Sequence, residues 1–343
     1  MHATAAVLVL AGVMIPAGSV AGELERLEYR QILMGVPVRI LVYAREKEAA
    51  NAAVHTAFDR IRKLNLIFSD YDEDSEVSRL VRSAPGRSVH VSPDLATVLA
   101  ESLDLSRRSE GAFDVTVGPL VTLWRSSRRT KRLPTAAEIA AAKQRVGYQS
   151  VHLDLKQRTV TLDKPGMRLD FGGIVKGYAA DEARAVLRKR GFPQALVALS
   201  GDISVGDPPA GETGWKIGVA GLDAPAAEPT DFVWLKNGAV STAGDAFQFV
   251  EIGGKRYSHL LDPKTGLGIT RSVSVTVIAP TGLASDGLDS AAAILGPAKG
   301  MKLIAAAPGA SGLFIERTEH GPKTFETAGF SRYRARPTDR TSR

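Results

Sequence analysis

Apolar and polar positions alternate through YRQILMGVPVRILVYA (29–44), and Gly35-Val36-Pro37 breaks the alternation, so the pattern predicts two strands joined by a turn. The period then changes. Val54, Ala57, Phe58, Ile61 and Leu64 recur at helical spacing within residues 47–67. Ser92-Pro93 reads as an N-cap with proline in the first turn, opening a helix with Leu95, Val98, Leu99 and Ser102 on one side. In GAFDVTVGPLVTLW (111–124), Gly111 closes the preceding helix, and a strand-like or loop segment with Gly118-Pro119 follows Phe113 and Asp114. Residues 150–164 alternate like a hairpin, and Tyr178 to Arg190 is helical up to Gly191. From ALVALSGDISVGD onward the chain reads as successive strands and turns, with one late helix from about Ser285 to Leu295. Strands in runs with helices inserted unevenly predict an α+β fold of mixed and antiparallel sheets.

Composition adds bounds. The 343 residues are 44% hydrophobic and 24% charged, enough for a large buried core. The net charge of +7 gathers partly in RSSRRTKR (125–132), read as a solvated loop, and in SRYRARPTDRTSR (331–343), read as a disordered tail. Aromatics are only 6%, and no basic stripe is interleaved with them, so no nucleic-acid partner is expected. The chain has no cysteine, which excludes disulfides, thiol catalysis, Cys-ligated zinc and lipid attachment through an N-terminal Cys. Ala5 to Ile15 is a small and apolar run, followed by the small-x-small triplet Ser19-Val20-Ala21. That pattern predicts a signal peptide over 1–21 and a periplasmic or other extracytoplasmic address, with membrane association if the segment is not cleaved. No Lys or Arg precedes Arg26, so the charge of its n-region is only the amino terminus.

Several short stretches carry candidate chemistry. DFGGIVKGYAAD (170–181) combines Asp170, two glycines that let a backbone approach a ligand, Lys176 and a helix start. It is neither a P-loop nor a dinucleotide glycine motif. In YSHLLDPKTGLGI (257–269), His259 ends a strand three residues before Asp262, so a proton acceptor and a carboxylate to orient it are close in sequence. The alternative is a hairpin loop whose turn Asp262 caps. In PTGLASDGLDSAAAILG (280–296), Asp286, Asp289 and Ser290 share one helix face, a hard-oxygen set suited to Mg²⁺; the alternative is N-capping by Ser285 or Asp286. FSDYDEDSEVSRL (68–80) sets Tyr71 among acids, either to stack on a flat ring or to pack at a helix end. SGD (200–202) and STAGD (241–245) are weak signals alone.

The order of these stretches is informative. MG, FSDYDEDSEVSRL, GAFDVTVGPLVTLW, DFGGIVKGYAAD, LSGDISVGD, STAGD, SHLLDPKTG and SDGLDSAAAILG, in this order, resemble the ApbE family of FAD:protein FMN transferases. The resemblance runs from Met34 to about Gly296, with a tail to roughly residue 330. It implies one flavin-transferase domain over 27–330, with two interleaved subdomains around a single FAD and Mg²⁺ site. It also implies transfer of the FMN half of FAD to a Thr or Ser of a partner flavoprotein through a phosphoester, with release of AMP. By the same resemblance the client is an electron-transfer protein of the cell envelope. Carried onto this chain, Met34, Tyr71, Ala112, Phe113, Asp114, Asp170, Lys176 and Leu260 would bind FAD. The Gly173 carbonyl, Asp286 and Ser290 would hold the metal, and His259 with Asp262 would be catalytic.

The chain departs from the family pattern at Ser290 (commonly Thr), Val36 (MGT becomes MGV), Ala243 (STSGD becomes STAGD) and Ser200 (often Asn or Gly). Hydrolysis of FAD to FMN and AMP, or flavin binding without turnover, are the readings that compete with transfer.

Overall fold

The computed structural model describes residues 24–222, 229, 231–245 and 248–334. The expected signal peptide lies outside these residues, as does all of the expected tail beyond Arg334.

The chain opens with the hairpin β1 (Glu25–Leu33) and β2 (Val36–Ala44), then α1 (Lys47–Phe68), α2 (Glu76–Ser83) and the short β3 (Val89–His90). Helices α3 (Pro93–Arg108), α4 (Gly118–Thr130) and α5 (Ala136–Lys143) follow, then β4 (Val151–Asp154) and β5 (Thr159–Leu162). Next come α6 (Val175–Lys189), β6 (Ala195–Leu199), β7 (Asp202–Val205), β8 (Trp215–Val219), β9 (Asp231–Leu235) and β10 (Gly238–Gly244). Two small hairpins, β11 (Phe249–Ile252) with β12 (Lys255–Ser258) and β13 (Leu261–Asp262) with β14 (Leu267–Gly268), precede β15 (Val273–Ala279). The chain closes with α7 (Gly282–Leu295), α8 (Pro297–Ala306), β16 (Ser311–Thr318), β17 (Gly321–Glu326) and a 3₁₀ turn, Phe330–Tyr333.

An eight-stranded antiparallel sheet, ordered β1-β2-β6-β7-β10-β15-β16-β17, runs through the molecule. Its central strands are buried on both faces, and the two-residue period sorts their side chains between two cores. Val38, Ile40 and Val42 of β2, with Ala195, Val197 and Leu199 of β6, face the larger core beneath the helices. Leu41, Leu196 and Ala198 face a second core, roofed by Trp215, Ile217, Val233 and Leu235 of the β8–β9 hairpin. From α1 the larger core receives Val54, Phe58, Ile61, Leu64 and Phe68, each contributing about 1.5–3 kcal/mol through burial. A third cluster, with Leu120, Trp124, Val250, Tyr257 and Leu261, ties α4 to the two small hairpins.

The α+β expectation and the helices over 47–67 and from Ser92 agree with the structure. Two readings need correction. The segment after Asp114 is not strand-like: Gly118-Pro119 opens α4, because a proline in the first helical turn gives up no hydrogen bond. RSSRRTKR is therefore mostly the end of that helix and not a loop. At the C-terminus, ordered structure extends past residue 330. Arg334 pairs with Glu326 and, at 3.0 Å, with Asp231, while Phe330 is fully buried.

Candidate active site

α6 and α7 cross with almost no space between their backbones. A Cβ on Gly177 would lie 2.0 Å from the Gly282 carbonyl oxygen and 2.9 Å from Asp286 Cβ. Glycine at both positions is the condition for this approach. It brings Lys176 of α6 against Asp286 of α7, and the start of β7 adds Asp202. Lys176 Nζ lies 2.8 Å from Asp202 Oδ2 and 3.3 Å from Asp286 Oδ1. The Gly177 N–H donates to Asp286 Oδ2 at 2.9 Å.

α7 begins earlier than the sequence pattern suggests. Its N-cap is Thr281, whose side chain accepts from the Ala284 N–H, so neither Ser285 nor Asp286 caps it. Asp286 and Asp289 instead sit within the helix, buried and facing the crossing. One carboxylate oxygen from each of Asp202, Asp286 and Asp289 lies within 4.8 Å of the others. Three carboxylates out of water repel one another. Burial, then the Asp202 charge, pushes the Asp286 carboxyl up to about 7. Burial, then Asp286 and Asp202, raises Asp289 well above the usual carboxylate range. For Lys176, burial works against its charge, but Asp202 and Asp286 outweigh it and hold the ammonium form firmly.

The donor set fits a hard divalent cation. Among the described residues Asp289 Oδ1 is buried without a hydrogen-bond partner, a costly state unless a cation or proton meets it. Ser290 follows on the same face, and a Cβ on Gly173 would lie 3.1 Å from Ser290 Oγ and 3.6 Å from Phe113 Cε2. The expected residues Gly173, Asp286, Ser290, Lys176 and Phe113 therefore converge. Asp202 and Asp289 belong with them, two further carboxyls beyond those carried over as metal ligands. The signal for Asp202 was an acid inside the apolar run ALVALSGDISV.

A second grouping surrounds Arg125. Its guanidinium pairs with Asp70, and with Asp170 Oδ2 at 3.3 Å, and lies 4.3 Å over the Tyr71 ring. Asp170 Oδ1 accepts the Gly172 N–H at 2.8 Å, which shapes the turn into α6. Arg125 thus holds the Tyr71 and Asp170 segments together, a role invisible in a run read as solvated loop. Tyr71 is exposed and free to offer its outer edge to a planar ligand.

The remaining expected residues are placed as follows. Ala112 is buried, and Asp114 organises its own loop: Oδ1 accepts from the Thr116 N–H at 2.8 Å and hydroxyl at 2.7 Å, and Oδ2 from the Tyr148 N–H at 3.2 Å. Met34 occupies the β1–β2 turn at φ 52°, next to Gly35 at φ 73°, and lines a shallow groove with Arg62, Asn65 and Leu66 of α1. Leu260 packs on the larger core, its N–H donating to Ser258 Oγ at 3.1 Å.

His259 Nδ1 lies 3.1 Å from the Gln248 carbonyl oxygen, which also accepts the His259 backbone N–H at 2.9 Å. A carbonyl only accepts, so Nδ1 carries the proton and Nε2 keeps its lone pair. Burial pushes the ring pKa down to about 4, with Arg128 and Lys176 adding to the drop. The orienting group is therefore a backbone carbonyl and not Asp262, whose Oδ1 accepts the Lys264 N–H at 2.8 Å and caps the DPKTG turn.

Comparison with known proteins identifies the family. The ApbE family model matches residues 34–314. A Haemophilus influenzae FAD:protein FMN transferase is 31% identical over 292 residues, 83% of this chain and 84% of that one. A Vibrio cholerae FAD:protein FMN transferase is 30% identical over 332 residues, 96% of each. Among solved structures, the flavin transferase ApbE from Vibrio cholerae superposes with a TM-score of 0.81 at 27% identity, covering 90% of this chain and 99% of that one. The ApbE protein from Thermotoga maritima gives 0.81 at 30% identity, covering 91% and 100%. Fold and relatives together define an α+β transferase. The chain belongs to the ApbE family.

Proposed function

We propose that the protein is a Mg²⁺-dependent FAD:protein FMN transferase that moves the FMN half of FAD to a Thr or Ser hydroxyl of a partner flavoprotein. The product is a phosphoester and AMP leaves. The observation that carries the proposal is the buried cluster of Asp202, Asp286 and Asp289 around Lys176, inside a fold whose relatives are flavin transferases. Asp286, Asp289 and Ser290, with the Gly173 carbonyl and Asp202 nearby, would hold Mg²⁺. When bound there, the ion would neutralise charge on the pyrophosphate oxygens. Tyr71 would lie against the flavin, and the Asp170 and Phe113 segments would line its path. Lys176 would meet phosphate charge from the protein side.

In the transfer, the acceptor oxygen forms a bond to the FMN phosphorus as the P–O bond to AMP breaks. The proton lost by the hydroxyl goes to Nε2 of His259. That nitrogen has no hydrogen-bond partner among the described residues and is unprotonated at neutral pH, because the Nδ1 proton faces Gln248 and the pKa is low. Export through residues 1–21 would put the enzyme beside electron-transfer proteins of the envelope, its proposed clients.

The test follows AMP and FMN from FAD and Mg²⁺ with and without an acceptor flavoprotein. Covalent flavin fluorescence on the denatured acceptor, with matched AMP release, is expected. FMN and AMP formed without acceptor would make the protein a hydrolase. Bound FAD with neither product would make it a flavin-binding protein, with Val36 and Ala243 the first residues to restore.

A further inference from the structure

α4 carries a charged face that the carboxylate site does not use. Arg125, Arg128, Arg129 and Lys131 line an open groove of about 680 Å³ together with Phe249, Val250 and Glu251 of β11. Four cations meet one acid there. Arg125 is held by Asp70 and Asp170. Among the described residues, Arg128, Arg129 and Lys131 have no hydrogen-bonded or ion-paired side-chain partner.

Other basic helix positions divide: Lys63 of α1 and Arg188 and Lys189 of α6 also lack such a partner among the described residues, while others are paired. Arg62 pairs with Asp59, and Arg107 and Arg108 pair with Asp104. α4 contains no Asp or Glu to serve the same purpose. Cations in a last turn do complement the helix dipole, which accounts for some basic charge at this end. It does not account for the groove, its aromatic wall or its position.

The position is specific. The β11 wall starts immediately after Gln248, whose carbonyl holds His259. Phe249 pairs with Ser258, the residue before His259. On the other wall, Trp124 of α4 donates its Nε1–H to the Ser258 carbonyl at 3.2 Å. Both walls are therefore fastened to the strand that ends at the proton acceptor. β11 pairs only with β12 among the described residues, so its second edge keeps unpaired backbone groups. An open strand edge can take an extended segment by strand addition. Phe249 is 41% exposed, with Arg256 stacked 3.5 Å over its ring, and offers that segment an apolar contact. A lipid headgroup or a free phosphate would use the charge but not the strand edge.

We propose that this groove receives an acidic, extended segment of the acceptor protein and presents that segment's hydroxyl to His259. The proposal rests on the transferase reading and names what selects the acceptor. Arg129 and Lys131 at the exposed end attract the acidic side chains, and β11 sets the segment's register.

The test uses the full chain and a fluorescein-labelled synthetic peptide with a central threonine flanked by aspartates. A twin peptide carries asparagine at each aspartate. Fluorescence anisotropy is expected to show about tenfold tighter binding of the acidic peptide at low salt, with the advantage fading as added salt screens it. The variant Arg129→Glu/Lys131→Glu is expected to erase the advantage and to leave FAD affinity, measured alongside, unchanged. Equal binding of the two peptides, or an advantage that survives in the variant, overturns the proposal. So does displacement of the acidic peptide by FAD, which would assign the groove to the dinucleotide. Binding to phosphatidylglycerol vesicles that is lost in the variant while peptide binding persists would assign it to a membrane and overturn the proposal equally. The transferase reading fails separately. A peptide that binds selectively but gains no flavin from FAD and Mg²⁺, with no AMP formed, counts against transfer and supports the groove. Equally fast flavinylation of both peptides counts against the groove alone.

Discussion

His259 shows how a single residue is prepared by its surroundings. The Gln248 carbonyl fixes the tautomer, and burial with Arg128 and Lys176 nearby keeps the ring neutral. Protonation begins only as pH falls through about 4, so the acid limb of kcat/KM in the free enzyme should lie near pH 4 and not near the usual histidine value of 6.5. His259→Ala should keep FAD binding and lose on the order of 10²–10⁴-fold in transfer rate. Asp262 should behave differently. Its carboxylate caps a turn, so Asp262→Ala should lower stability by about 1 kcal/mol with a much smaller effect on rate. Equal rate losses in the two variants, measured beside urea unfolding, would return Asp262 to a catalytic role. The sequence put these two residues side by side. It contained no signal for Gln248, because a backbone carbonyl facing His259 from just before the partner strand of the same hairpin leaves no trace in residue type.

At the scale of elements, the decisive contact is the crossing of α6 and α7. Lys176 and Asp286 meet because Gly177 and Gly282 let two backbones touch. Gly177→Ala would drive a methyl into the Gly282 carbonyl and should cost about 3 kcal/mol in denaturant unfolding. The shift would also separate Lys176 from Asp202 and Asp286, so any surviving protein should respond weakly to Mg²⁺. A variant of native stability would show that the crossing relaxes freely. Legibility at this scale followed periodicity. α1 and α3 have long apolar stripes, and α3 also has a strong N-cap in Ser92, so their limits were clear. The face shared by Asp286, Asp289 and Ser290 was clear for the same reason. α4 was not, because Gly118-Pro119 reads as a breaker until its place in a first helical turn is known. Misreading it hid Arg125, since a basic run on a loop has no defined partner. Asp202 was visible only as part of a short SGD signal, and its neighbours across the sheet and helices are set by topology.

For the whole molecule, the buried carboxylates link folding, protons and metal. The Asp286 carboxyl rises from 3.8 to about 7 on folding. Folding therefore takes up a proton between those values. The stability tied to that proton is fully present below pH 3.8 and is lost as pH rises through about 7. Asp289 shifts in the same direction, so the metal-free protein should weaken as neutrality is passed. Mg²⁺ binds the ionised carboxylates and displaces the protons, so its effect should grow over the same range. At a free concentration about 100 times Kd, it should add about 2.7 kcal/mol. Thermal unfolding with and without Mg²⁺ should thus show a larger rise in Tm at about pH 8 than at about pH 6, with the metal concentration held constant. Asp289→Asn should flatten the response, because it removes one charge that both the proton and the metal satisfy. It should also raise the metal-free Tm above neutrality by relieving repulsion among three buried acids. A Tm rise that is the same at both pH values and survives in Asp289→Asn would mean that Mg²⁺ stabilises the protein from elsewhere. The carboxylate cluster would then have to be explained by Lys176 alone.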